Sequence, residues 1–550
     1  MMYQIINKIA ILVLGLIVLV SCHGLEDLNE NPNQIGSDNV DPNLLIATVI
    51  SGTAKNVVDL GFGDIAGVMQ HTQKDGWSGG HNSYDWSNGS FNWNGYYSLL
   101  TNDKTLLKKA EVDNLEFHIG VGLVMKAYLF GMISDLYGDA PYTNALRGDE
   151  GVEFFDTAFD NQKVIYTGIL SDLDRANSLL SKNQDAYFSI LENQDILYSG
   201  DVAKWRKFAN SLALRYYMRL SEKEPGIAEA GIKNITSNPS QYPLIMNASD
   251  DANVDYVGSS GADSWPSTTK FSSDPAGNYF RIKMSATLVD ALLALDDPRL
   301  GVWANKIEIP LVLATGEPEN TDQIRNGERY VGQKLVDDHL EIVGVPVNYN
   351  KDYVGLPTAI PFGGSFNLRV NPAQGTYNPS VSQLNDIYKE AKGPLLKSRL
   401  ISAAEVNFIL AEAALKGWVS GSAENYYNEG IKQSFEAWGI GDEYANYMAG
   451  ISFGGLGDIM EQKWIASWTS ATQSWFDYRR TGLPNLTTGP SSKRAAIPLR
   501  FYYNIDEINS NTENANDAID KLEPTQFTAP DSNNSAWSKM WLLQGTGKPY

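Results

Sequence analysis

Four aromatic residues stand where the sequence offers little secondary structure to bury them. Trp77, Tyr84 and Trp86 lie in HTQKDGWSGGHNSYDWSNGSFNWNGYY, residues 71–97, among Gly, Ser and Asn, and Trp265 lies in the similar stretch SSGADSWPSTTKF. A flat ring with a polar edge, flanked by amides and hydroxyls, matches a sugar ring with one apolar face and a hydroxylated rim. These four positions are therefore the expected ligand contacts, with burial as loop anchors as the alternative. Trp93, Tyr96, Tyr97 and Leu100 follow helical spacing instead and are expected in the core.

Other chemistries find little support. The five histidines, His23, His71, His81, His118 and His339, form neither HExxH nor a pair at i, i+4, so no metal site is expected. GTGK near the C-terminus lacks the glycine and the Ser or Thr of a phosphate loop, and the glycines of GFGDIAG have the wrong spacing for a dinucleotide fingerprint. No cofactor is expected. Counted from Asp251, the sixth residue of a calcium loop would be Tyr256 in place of glycine and the twelfth Ala262 in place of glutamate, so DDANVD reads as a turn or strand end. A glycosidase needs two carboxyls, but no local motif selects a pair from the 65 acidic residues, and no catalytic residue is assigned.

The only cysteine, Cys22, follows an apolar run from Ile9 to Val20 that Lys8 precedes. That run is too short for a membrane span, which takes ~20 residues, and has the length of a signal-peptide core. Residues 1–21 thus read as an export signal. Leu19-Val20-Ser21-Cys22 resembles the bacterial lipobox, in which the cysteine is lipidated and becomes the first residue; an ordinary signal-peptidase site with a free thiol is the alternative. An anchor with more than one acyl chain would hold the protein on a membrane without crossing it.

With 43 basic and 65 acidic residues the net charge is -22, which argues against nucleic acid or anionic lipid as partner and suits solubility. No run after Cys22 reaches the length of a span, and the cysteine-free body must be held by its core alone.

Positioning the aromatic loops requires a scaffold, and periodicity supplies one. Asp201 is a candidate N-cap for a helix with Trp205, Phe208, Leu212, Tyr216 and Leu220 on one face. Ser402 and Glu405 have capping-box spacing before Val406, Ile409, Leu410 and Ala413, and a second helix with Tyr427, Ile431 and Phe435 follows a Gly/Ser turn, so the two should pack antiparallel. LEFHIGVGLVMKAYLFGMISDLYGD and QKVIYTGILSDLDRANSLLSK are further helix candidates. Twelve of the 23 prolines fall between Pro239 and Pro379. The expected organisation is mostly α: a tether over 22–40, a helical scaffold over about 41–238 and 380–480, a loop-rich insertion over about 239–379 and a C-terminal region over 481–550. No clean 34-residue repeat is present.

LEDLNENPNQ after Cys22, FGMISDLYGDAPYTNAL, LISAAEVNFILAEAALKGW, EQKWIASWTSATQSWFDYRRTGLP and IPLRFYYNIDEINSNTENANDAI resemble, in this order, the SusD/RagB family of nutrient-binding outer-membrane lipoproteins, most nearly its SusD-like branch. The resemblance implies tetratricopeptide-like helical hairpins that scaffold ligand-binding loops. It also implies a lipid-anchored, non-catalytic protein that binds oligosaccharide or peptide and delivers it to a SusC-like TonB-dependent transporter. Gln462, Lys463, Trp464, Trp475, Asp477, Tyr478, Arg479 and Arg480 then read as packing between helices. Glu26 and Asp27 resemble the acidic signal for surface display, from whose commonest form His23 departs. Two other classes compete: a surface glycosidase, which would form product, and an adhesive surface protein, which would copurify with no transporter.

Overall fold

The structure, a computed structural model, describes residues 40–76, 78–272, 278–361, 363–370 and 377–550. The leader, Cys22 and Trp77 lie outside the described residues.

Six helices of 13 residues or more dominate the described part of the chain's first half. Helix α1 (Pro42–Gly61) starts where Asp41 accepts a hydrogen bond from the Asn43 backbone and Pro42 occupies the first turn. Next come α2 (Asn94–Val112), α3 (Glu116–Tyr137), α4 (Gln162–Leu179), α5 (Val202–Arg219) and α6 (Pro225–Ser237). Each packs on the one before it. Only three residues separate α2 from α3, which turns them antiparallel. Asp201 caps α5 as its sequence predicts, accepting from the Lys204 backbone.

Contrary to the expectation that no run after Cys22 is long enough, two helical stretches among the described residues, Pro42–Val68 and Glu116–Tyr137, could cross a membrane by length and composition alone, but most of each apolar window is buried in the fold. Helix α3 is apolar all round because nearly every one of its residues is buried between α2, α4 and α5.

The proline-rich stretch 239–379 adds short elements. Helices α7 (Ala286–Ala294) and α8 (Gln333–Val343) lie within it, with strands β2 (Ala252–Asp255), β3 (Ile282–Met284), β4 (Leu311–Leu313), β5 (Asp322–Arg325) and β6 (Glu328–Val331). Two antiparallel pairings stitch the stretch to the scaffold: β3 with β1 (Thr72–Lys74), and β2 with β7 (Lys397–Ile401).

After β7 come α9 (Ala403–Leu415), α10 (Ala423–Ala437), α11 (Leu456–Ala466) and α12 (Ala471–Thr481). Helices α9 and α10 form the expected hairpin. Ser402 accepts from the Glu405 backbone, but the expected reciprocal half of the capping box does not form. Glu405 instead takes a two-pronged bond from Arg215 of α5, 2.7 Å at each oxygen, and a charge-assisted fork outcompetes a neutral cap.

The packing expected of the 462–480 motif is observed. Lys463 of α11 meets Asp477 of α12 at 2.7 Å, and Arg480 bridges Asp477 at 3.1 Å and Glu412 of α9 at 2.5 Å. Trp464 and Trp475 spend their indole N–H groups on the carbonyls of Met69 and Pro498.

Candidate functional site

For three of the four loop aromatics, Tyr84, Trp86 and Trp265, the structure corrects the expectation that they are open to a ligand. Trp265 and Tyr84 are 0 % exposed and Trp86 is 1 % exposed. Trp265 donates its indole N–H to Ser267 and packs its ring against Phe62, Tyr256 and Tyr388 at centroid distances of 5.0, 5.6 and 5.9 Å. Trp86 donates to the Gly80 carbonyl and packs against Phe91, Phe501 and Trp475. The reason is tertiary. Lys493 and Ile505 of the C-terminal region donate their backbone N–H groups to Ser83 and Asn88, and Asn504 donates to Phe91, so distant chain covers the Gly/Ser/Asn-rich segment. Such a composition signals irregular backbone, and irregular backbone can be buried when other chain completes its hydrogen bonds.

Trp265 and Trp86 stand directly behind a cleft of about 240 Å³. Phe62, held by Trp265, and the half-buried Phe91, held by Trp86, both line it. Asp59 and Asp64 flank Phe62 where α1 ends. Gly63 makes the sharp passage between them possible: a Cβ there would sit 2.0 Å from the Asp59 carbonyl oxygen. Strands β1 and β3 bring Lys74 and Ile282 opposite each other on the far wall, and Pro266, next to Trp265, completes it. Asn82 fixes Lys74 by accepting from its backbone N–H at 2.9 Å and donating to its carbonyl at 2.6 Å.

The charges of the cleft are incompletely paired. The half-buried Lys74 ammonium forms no ion pair among the described residues. Burial holds its pKa below the ordinary lysine value, against the pull of Asp64. For Asp64, burial alone would raise the pKa, but His81 and Lys74 outweigh it and hold the carboxyl below its usual value. His81 sits with Nδ1 3.6 Å from Asp64, its other nitrogen 3.0 Å from the Thr72 hydroxyl, and burial keeps it neutral. Asp59 pairs with Lys55 at 2.9 Å on the exposed side.

Carboxylates that accept, an ammonium that donates, and apolar ring and proline surfaces between them can hold a ligand rich in hydroxyl groups. Proton donation to a leaving group needs a carboxyl held above its usual pKa, and Asp64 is held the other way. The carboxyls pushed upward by burial, such as Asp103, Asp139 and Asp251, lie outside the cleft. Among the described residues no group of three His, Cys, Asp or Glu side chains could hold a metal ion.

Sequence reading missed Asp59, Phe62, Asp64, Lys74 and Phe91. A signal for two of them was present in GFGDIAG, whose glycines do not fit a nucleotide loop but do permit the tight exit from α1 on which Phe62 and Asp64 sit.

Comparison with known proteins agrees with this architecture. A family model described as SusD-like, starch-binding and associating with the outer membrane matches residues 32–330 and 346–504. The chain belongs to the SusD-like family, a family of binding proteins. No curated protein matches the chain. Among solved structures, a SusD homologue from Bacteroides fragilis shares 22% identity with a TM-score of 0.68, over 92% of this chain and 100% of the other. A SusD/RagB family protein from Bacteroides thetaiotaomicron shares 21% at a TM-score of 0.65, over 92% and 99%. A chitin-binding SusD homologue from Flavobacterium johnsoniae shares 19% at 0.65, over 91% and 99%. At these identities the solved structures establish the shared fold.

Proposed function

We propose that the protein captures an oligosaccharide in the cleft formed by Asp59, Phe62, Asp64, Lys74 and Phe91 and delivers it to a SusC-like TonB-dependent transporter. In this reading a lipid on Cys22 anchors the chain to the outer membrane, on the cell surface, and the tether gives it reach. The observation that carries the binding step is Lys74: a half-buried ammonium without an ion pair among the described residues, set opposite carboxylates and beside aromatic rings, leaves polar capacity that a hydroxylated ligand completes. Trp77, in sequence between Gly76 and Ser78 and three residues beyond Lys74, is proposed as a further ligand contact. Trp86 and Trp265 are assigned to the wall behind the cleft, and the fully buried Tyr84 to the core. The family's description names starch and a similar structure binds chitin, so α- and β-linked hexose and hexosamine oligomers are the first ligands to test.

Calorimetry on the mature chain, with maltoheptaose, chitohexaose, other plant and bacterial oligosaccharides and peptides, tests the reading when the mixtures are also analysed for product. Saturable binding of one saccharide class without turnover is the expected result. Product formation, or binding of peptides alone, overturns it.

A further inference from the structure

A second groove, of about 490 Å³, runs along the helical scaffold between α4 and α6 with α5 as its floor. We infer that it is a saccharide-binding site distinct from the loop-face cleft. It shares no lining residue with that cleft.

Three half-buried rings, Tyr217 of α5, Tyr242 after α6 and Trp541 near the C-terminus, line the groove. Tyr217 lies across α6 because Gly231 has no side chain; a Cβ there would stand 2.3 Å from its ring. Lys223 lies over Trp541, 5.3 Å from the ring centroid, and is itself held by the Gln544 carbonyl at 2.8 Å. Tyr242 donates its hydroxyl to Asp174 of α4 at 3.3 Å. The rings are thus positioned from behind or from the side.

The polar groups between the rings are unspent. The Tyr217 hydroxyl, the Ser171 hydroxyl, the Asn234 amide and the Trp541 indole N–H line the groove and make no hydrogen bond among the described residues. Several core tryptophans differ: Trp205, Trp464 and Trp475 donate to protein acceptors, whereas Trp303 has no acceptor among the described residues. The lining itself selects the ligand. A wholly apolar molecule would strip water from four polar groups without replacing it, at a cost for each. An anion would face Asp174 and Glu224, although Lys163 neutralises the latter at 2.7 Å. A neutral pyranose chain offers an apolar face to each ring and hydroxyls to each polar group.

The test uses the full mature chain carrying Lys74→Met together with Asp59→Trp, which fills the exposed mouth of the loop-face cleft and so disables it, titrated calorimetrically with maltoheptaose, chitohexaose, cellohexaose and xylohexaose at millimolar concentrations. At least one is expected to bind. Adding Trp541→Ala, or Ser171→Trp placed at the exposed lip of the groove, is expected to weaken that binding by about tenfold or more, with an unchanged melting curve for Ser171→Trp. No saccharide binding once the cleft is disabled overturns the inference, as does binding that survives Ser171→Trp in a folded chain. A protein that copurifies with the chain and is displaced by Ser171→Trp, with no saccharide effect, overturns it too. Failure of the cleft reading shows separately, as unchanged saccharide affinity in Lys74→Met alone.

Discussion

Two clusters of charge, one in the scaffold and one at the loop face, are built to opposite rules. Where α9, α11 and α12 meet, Glu412, Lys463, Asp477 and Arg480 are all buried and each meets an opposite charge at 3.1 Å or less. At the cleft, Lys74 is half-buried and unpaired among the described residues, and Asp64 has only a neutral imidazole 3.6 Å away. A charge withdrawn from water is tolerated in a core only when the protein itself completes its shell. A charge withdrawn halfway and left incomplete keeps capacity for a ligand. Scaffold charges should therefore matter for stability and cleft charges for affinity, and substitutions can separate the two.

The largest effect belongs to the scaffold. Asp477→Ala leaves Lys463 and Arg480 buried without their shared partner, and should cost about 3–5 kcal/mol in urea unfolding while saccharide affinity of the folded fraction stays unchanged. The pH dependence checks the mechanism. Burial would raise the Asp477 pKa, but Lys463, Arg480 and Arg219 outweigh it and hold the carboxyl well below its usual range. Its contribution is therefore present above the unfolded carboxyl pKa of about 3.9 and lost as pH falls further toward the folded value. The gap between wild type and Asp477→Ala should narrow only below about pH 4; narrowing nearer neutrality would mean that the pair is not what stabilises the helices.

The same contrast explains what could be read from the sequence. Helix faces, the Asp201 and Ser402 caps and the packing of the 462–480 motif follow from spacing within about twenty residues, and the structure contains them. The cleft joins residues near 60, 74, 91, 266 and 282, brought together by the β1–β3 pairing and by the exit from α1, and no local pattern encodes those meetings. Burial of Tyr84, Trp86 and Trp265 was hidden for the same reason, since what covers the first two includes chain some 400 residues away. The Gly/Ser/Asn surroundings signal irregular backbone, and Tyr84, Trp86 and Trp265 within them are buried and do not line the cleft. Trp265 supports Phe62, and it is Phe62 that lines the cleft.

Trp265→Ala sharpens that distinction and should have the next largest effect. Removing a fully buried indole opens a cavity behind Phe62 and should cost about 3 kcal/mol, near the lower end for such truncations because the loop that carries it can partly settle. Saccharide affinity should fall with it as Phe62 loses its backing, and Trp265→Phe should restore most of both. Lost affinity with unchanged stability would return Trp265 to the ligand-contacting layer.

Lys74→Met completes the separation with the smallest energy. Replacing a partly desolvated ammonium that has no ion pair among the described residues by an apolar chain of similar length removes a desolvation cost, so the unfolding midpoint should hold or rise slightly. Affinity for the oligosaccharide that calorimetry identifies should fall about tenfold, or about 1.4 kcal/mol. Because burial depresses the Lys74 pKa, its charge is lost at a lower pH than that of a free lysine. Wild-type affinity should therefore decline in alkaline buffer before ordinary lysines titrate, and Lys74→Met should show no such decline. A parallel decline in both chains would assign the effect to another group. Equal loss of stability in Lys74→Met and Asp477→Ala would mean that the cleft charge, like the scaffold charges, is there to hold the fold.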